Sequence, residues 1–140
     1  MRTSRSYKLQ LSERGIDHFL ICHCRLARMA GEFIPYGTTL YVAMRILDTC
    51  DASDILAELE TTDCRALAGH ATRFVGTTSL LADIVERVVR RLSDSDVYGQ
   101  NVATWRLYNV ALLMLLTTED AELKAAYQQA IVAAPLRGNR

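Results

Sequence analysis

Glycine and proline are scarce in this chain, seven and two among 140 residues. Long irregular loops, where binding and catalytic groups are most often displayed, have little to be built from. Lysine is nearly missing as well, two Lys against fourteen Arg. Formal net charge is zero, so no global field draws the chain to nucleic acid or to an anionic membrane. Long apolar runs are missing too. The longest, "VALLMLL" from Val110 to Leu116, covers seven residues, where a bilayer demands roughly 20. The opening stretch "MRTSRSYKLQLSERG" has no apolar core of a secretory signal. These absences predict a cytoplasmic protein with no membrane contact. The four Cys agree, because they sit inside helical patterns and not in a framework of loops.

Catalytic signatures are also missing. The chain has no G-x-S-x-G, no phosphate-binding P-loop, no G-x-G-x-x-G and no H-E-x-x-H. Carboxylates are plentiful, but they fall in helix caps and on solvent faces. The expectation is a non-enzymatic protein with no catalytic residues and no cofactor.

What is present is periodicity. Half of the residues are hydrophobic and 23% are charged, the balance of a soluble globular domain. Residues 5–11, "RSYKLQL", alternate, with Tyr7, Leu9 and Leu11 on one face, which reads as a short strand or an extended arm. Ser12 is a candidate N-cap for a first helix that runs to about Ala30 and stops at Gly31. "GEFIPYG" reads as a loop, and Thr38 or Thr39 starts a second helix to about Cys50. A short third helix covers Ile55 to Glu60. A fourth runs from Thr62 to near Val75, with Gly76 as its stop. "TTS" caps a fifth from Leu80 to Leu92, and "SDSD" precedes a sixth, Val97 to Leu116, apolar nearly all round and therefore central. Thr117 and Asp120 resemble a capping box for a seventh that ends at Ala134, before Pro135 and a free tail, "LRGNR". The fold class expected is all-α, a single domain over residues 1–140: a compact bundle of six or seven short-to-medium helices, with residues 1–11 as an arm or strand.

One segment looks like a metal site. "HFLICHCRL" places His18, Cys22, His23 and Cys24 within seven positions. On a helical wheel His23 and Cys24 fall among Ile16, Phe19, Leu20 and Ala27 on the apolar face, and His18 and Cys22 lie on its flank. All four cannot converge on one ion from a regular helix. The other candidates, Cys50, Cys64 and His70, are single residues without the paired spacing of zinc sites. Buried thiols behave as small hydrophobes, so the segment reads as core and no metal is expected.

The cations offer a more useful pattern. Residues 46–64 carry six acidic groups and no basic one, whereas residues 1–45 carry seven basic against three acidic. Arg14, Arg25 and Arg28 share one stripe of the first helix, and Arg65 and Arg73 share the outer face of the fourth. Tyr41 and Arg45 sit together on the polar face of the second. Arg and Tyr are enriched where proteins dock on partners, and Arg suits phosphate and carboxylate. Arg14, Arg25, Arg28, Tyr41, Arg45, Arg65 and Arg73 are therefore the candidate contacts of a helical interaction module. It would bind a protein or nucleoprotein complex as a subunit, adaptor or inhibitor.

A second reading comes from the segment "SYKLQLSERGIDHFL…GEFIPYGTTLYVAMRIL", which resembles a ribbon-helix-helix protein over about a third of the chain. The resemblance implies a dimer whose N-terminal strands pair and enter the major groove of DNA. Ser6, Lys8 and Gln10 would then read bases, and the helix start at Thr38 and Thr39 would contact phosphate. The chain departs from that family in a longer first helix and a longer loop after it. A helix-turn-helix reading of "RALAGHATRFVGTTSLLADIV" is weaker, because its small residues do not fall where two helices must cross.

Overall fold

Ser12 fixes the start of the first helix. Its hydroxyl accepts from the Gly15 amide at 3.0 Å, and its backbone is extended, as an N-cap requires. The same hydroxyl donates to the Ala66 carbonyl at 2.6 Å, and the Ser12 amide donates to the Leu67 carbonyl at 2.8 Å. One residue thus starts a helix and ties the N-terminal segment to a stretch more than fifty residues further on.

The computed structural model describes residues 4–95 and 102–135. In chain order these form β1 (Ser4–Leu11), α1 (Glu13–Ala30), α2 (Tyr36–Leu47), α3 (Ala52–Leu59), α4 (Thr62–Leu67), β2 (Ala71–Thr78), α5 (Leu80–Ser95), α6 (Thr104–Thr117) and α7 (Asp120–Ala133). The architecture is mainly helical, seven helices with one small sheet among the described residues. None of these helices is long and apolar enough to cross a membrane.

The sheet corrects one expectation. The fourth helix does not reach Val75. It stops at Leu67, and Ala71–Thr78 is a strand antiparallel to β1, in register from Ser4↔Thr78 to Leu11↔Ala71. Thr72, Phe74, Val75, Thr77 and Thr78 all favour the extended state. Gly76 lies inside this strand and ends no helix. On β1 the expected alternation holds, with Tyr7, Leu9 and Leu11 buried and Ser6 and Lys8 exposed.

The start of α2 packs against the ribbon. A Cβ on Gly37 would run into the Gly76 carbonyl, so only glycine lets α2 come this close. The helix begins at Tyr36, right after Pro35, two residues before the expected Thr38, and nine of its twelve residues are buried. It shares the centre of the bundle with α6, where Leu107–Leu112 and Leu115 are buried. Around them pack Phe19, Cys22 and Leu26 of α1, Ile55 and Leu59 of α3, Leu81, Ile84, Val88 and Leu92 of α5, and Leu123, Tyr127 and Ala130 of α7.

Other boundaries move by a turn or less, except that α6 begins at Thr104, well after the expected Val97. The third helix begins at Ala52 and the fifth extends to Ser95, so Ser93, Asp94 and Ser95 belong to α5. The expected start of the sixth at Val97 lies outside the described residues, as does the tail "LRGNR". The capping box at Thr117 does not form. Glu119 occupies the N-cap position of α7, and the Thr117 hydroxyl donates back to the Leu113 and Met114 carbonyls of α6.

Candidate protein-binding surface

The four side chains of "HFLICHCRL" diverge. The Cys22 thiol is fully buried and donates to the Leu112 carbonyl at 3.2 Å, and His18 Nε2 lies 3.0 Å from the same oxygen. His23 Nδ1 is 2.7 Å from the Thr39 hydroxyl. Cys24 is exposed, which corrects its expected place on the apolar face. The buried positions of α1 are Gly15, Phe19, Cys22 and Leu26, so the helix is rotated toward Cys22. That rotation follows from Gly15, whose missing side chain lets the Leu67 carbonyl sit against α1. Among the described residues no group of three His, Cys, Asp or Glu side chains could hold a metal ion. Burial pushes the Cys22 thiol up to about 12 and the Cys64 thiol to about 11, so neither is a ready thiolate.

The arginine stripe of α1 is not a uniform surface. Arg25 turns inward over the end of α6. Its Nη1 donates to the Leu115 and Leu116 carbonyls at 2.7 and 3.0 Å, and its Nη2 to the Thr118 carbonyl at 2.6 Å and to Asp120 at 2.8 Å. Carbonyls that a helix end leaves without partners are thereby satisfied. Arg14 reaches Asp63 at 3.4 Å across exposed surface, and Arg28 is exposed in the last turn of α1. Arg65 and Arg73 do not share a helical face: Arg65 is on α4, paired with Glu60 at 2.8 Å, and Arg73 is on β2.

The Tyr41–Arg45 pair is real but does not face solvent together. Tyr41 is 3% exposed, and its hydroxyl accepts from Arg45 at 3.3 Å, with the guanidinium 5.7 Å from the ring centre. The second helix is buried on nearly every side, so it has no polar face to present Tyr41. Thr38 and Thr39 are buried for the same reason, and Thr39 already partners His23, which leaves that helix start closed to a phosphate. Arg45 lines a cleft of about 630 Å³ between α2, α5 and α7, whose lining includes Asp48. Its carboxylate accepts from Arg87 at 2.9 Å and Arg91 at 2.8 Å, and Arg91 also donates to the Cys50 carbonyl at 2.9 Å. Those charges are used to clamp α2 to α5.

A different surface combines exposure with apolar chemistry. Between α1 and the ribbon lies an open groove of about 320 Å³, walled by Ile16 and Phe19 of α1 and by Leu9, Leu11 and Val75 of the strands. Three large side chains on its lining stay exposed: Leu20 at 47%, Tyr36 at 55% and Phe74 at 65%. Arg73 supplies the charge at this groove. Its floor is anchored by an aromatic cluster. The His23 ring stacks on Phe19 with centroids 6.5 Å apart, and Tyr36 lies 4.5 Å from His23 and 6.1 Å from Phe19. Burial lowers the His23 pKa from 6.5, which keeps the ring neutral beside these aromatics.

Of the residues picked out from sequence, only Arg73 lies at this groove. Ser6, Lys8 and Gln10 lie on the opposite face of the ribbon, where Lys8 stands across from Phe74 and Gln10 across from Thr72. Leu20, expected on the apolar face of the first helix, is 47% exposed, and Tyr36 and Phe74 go unmarked in the sequence because each belongs to a different element. The available signal was an aromatic next to a breaker, in "IPYG" and "FVG". No protein-family model matches the chain, and no curated protein or solved structure matches it significantly.

Proposed function

We propose that the protein is a non-catalytic helical interaction module of the cytoplasm. It docks on a protein or nucleoprotein partner through the groove between α1 and the ribbon. The observation that carries this reading is the exposure of Leu20 and Tyr36 around one apolar groove with Arg73 beside them. Exposed apolar patches of this kind mark interaction sites, and aromatics with Arg are the residues enriched there. Burying the exposed part of Leu20 alone would contribute about 1–2 kcal/mol. Arg14 and Arg28 on the outer face of α1 would then serve as rim contacts, whereas Arg25 and Tyr41 act inside the fold. Free thiols at Cys22 and Cys64, both buried, fit a reducing compartment.

The test is capture of partners from the native host by the tagged wild-type chain and by Leu20→Asp, with half of each sample nuclease-treated. The reading expects a partner that survives nuclease and is lost with Leu20→Asp. A partner retained equally by both proteins would overturn it.

One observation favours a second reading, direct binding of nucleic acid. The two strands carry Arg5, Lys8 and Arg73 and no acidic residue, and Ser6, Lys8 and Gln10 face outward. In this chain β1 pairs with β2 of the same molecule, so the outward face is complete without a dimer mate. Loss of duplex DNA binding in a Lys8→Ala, Gln10→Ala variant would support it. Unchanged binding would remove it.

A further inference from the structure

The groove has a feature that an apolar patch on a helix lacks: it opens beside a sheet edge. Among the described residues β2 has a strand on one side only. In an antiparallel ladder alternate residues turn their N–H and C=O away from the paired neighbour. Away from Gly76, whose carbonyl lies against Gly37 at the start of α2, the far side of β2 therefore presents backbone donors and acceptors. Arg73, Phe74 and Val75 all line the groove, although Phe74 and its two neighbours point to opposite faces of the ribbon. The groove thus reaches that strand, with Ile16, Phe19 and Leu20 of α1 as the facing wall. A strand and a helix separated by an apolar slot is the geometry in which an extended peptide gains main-chain bonds from the strand and places alternate side chains in the slot.

Charge narrows the occupant. Among the described residues Arg73 is the only ionisable cation lining the slot, and the sixteen strand residues include Arg5, Lys8 and Arg73 with no carboxylate. Arg73 is exposed and makes its recorded bond only to the neighbouring Thr72 carbonyl at 3.0 Å. Its remaining donors suit a carboxylate, which a planar guanidinium binds through two parallel bonds.

From the juxtaposition of the β2 edge, the apolar slot against α1 and Arg73, we propose that this site accepts an extended segment of a partner protein as an added strand. That segment carries apolar side chains at alternate positions and one carboxylate, from Asp, Glu or a chain terminus, seated on Arg73. The proposal rests on the docking reading above and specifies how the partner is held.

The experiment is selection of a displayed random dodecapeptide library on the wild-type chain, followed by synthesis of the best binder. Expected are sequences with apolar residues two apart and one fixed Asp or Glu. N-methylation of alternate peptide amides should weaken binding at least tenfold, and methylation of the intervening ones should leave it intact. Arg73→Glu should weaken the same peptide at least tenfold with an unchanged circular dichroism spectrum, and a Lys replacement of the peptide acid should restore it. A binder with apolar residues three and four apart, insensitive to single N-methylation, would overturn strand addition. The docking reading would survive that outcome if Leu20→Asp abolished the binding. Failure to select any peptide, with partner capture still lost in Leu20→Asp, would also overturn strand addition alone. Binding of a thymidine homopolymer at Phe74 and Lys8 that competes with every selected peptide would replace the peptide occupant with nucleic acid.

Discussion

A guanidinium carries five donors in a rigid fork, and Arg25 directs its two terminal nitrogens at three carbonyls and one carboxylate around the end of α6. Hydrogen bonds from a charged group contribute about 1.5–3 kcal/mol when their partners would otherwise be left bare. Arg25→Ala should therefore lower unfolding free energy by about 2 kcal/mol in urea titration, while exposed Arg28→Ala should change it by less than about 0.5 kcal/mol. Thiol chemistry separates the cysteines in the same way. Cys24 is exposed, whereas Cys22 and Cys64 are buried with thiols pushed up to about 12 and about 11. Iodoacetamide at neutral pH should label Cys24 first, with mass spectrometry finding Cys22 unmodified until the chain unfolds. His23 makes the fold sensitive to acid. Its folded pKa lies below 6.5, so as pH falls under 6.5 the unfolded chain takes up a proton that the native chain refuses. Stability should be flat above that pH with respect to this group and should decline below it, and His23→Gln should reduce the decline in urea titrations between pH 7 and 5.

At the level of the element, the local signals were legible and the distant ones were not. Ser12 as N-cap and Gly31 as a left-handed stop with φ 68° bound α1 as expected, because a cap acts within one turn. The alternation of β1 and the stripe of α5 are legible for the same reason. β2 was not legible, because its strand state depends on a partner at the other end of the chain, and "RALAGHATRFV" taken alone fits a helix. The rotation of α1 was missed because a contact with the Leu67 carbonyl sets it, and no wheel contains that contact. Tyr41 was misplaced because α2 has neighbours all round, so its pattern has no polar side to read. One glycine tests this level directly. In Gly37→Ala the new methyl meets the Gly76 backbone, which cannot swing aside as a side chain can. A loss of about 3 kcal/mol is expected from such overpacking, measured as a shift in the urea midpoint. Gly76→Ala should cost far less, since its added carbon meets only the Arg5 carbonyl at 3.8 Å.

Across the molecule, the candidate surface is an assembly of pieces that the sequence scatters. Leu20 comes from α1, Tyr36 from the start of α2, and Phe74 with Arg73 from β2. Periodicity marks faces of single elements, so it could find the stripe that includes Arg25 but not a groove shared by four elements. The ribbon that completes the groove has a further consequence, for the order of events during synthesis. Tyr7 donates to the Thr78 carbonyl across 71 residues, and closing so long a loop carries an entropic cost before any contact repays it. On the ribosome β1 emerges early and must wait, its Tyr7, Leu9 and Leu11 uncovered, until residues 71–78 leave the exit tunnel. Nascent chains stalled with residue 68 just outside the tunnel should leave β1 open to limited proteolysis, and stalling a dozen residues later should protect it. The segment most exposed in that interval is the one whose outward residues are Ser6 and Lys8, and those polar positions keep the waiting strand soluble.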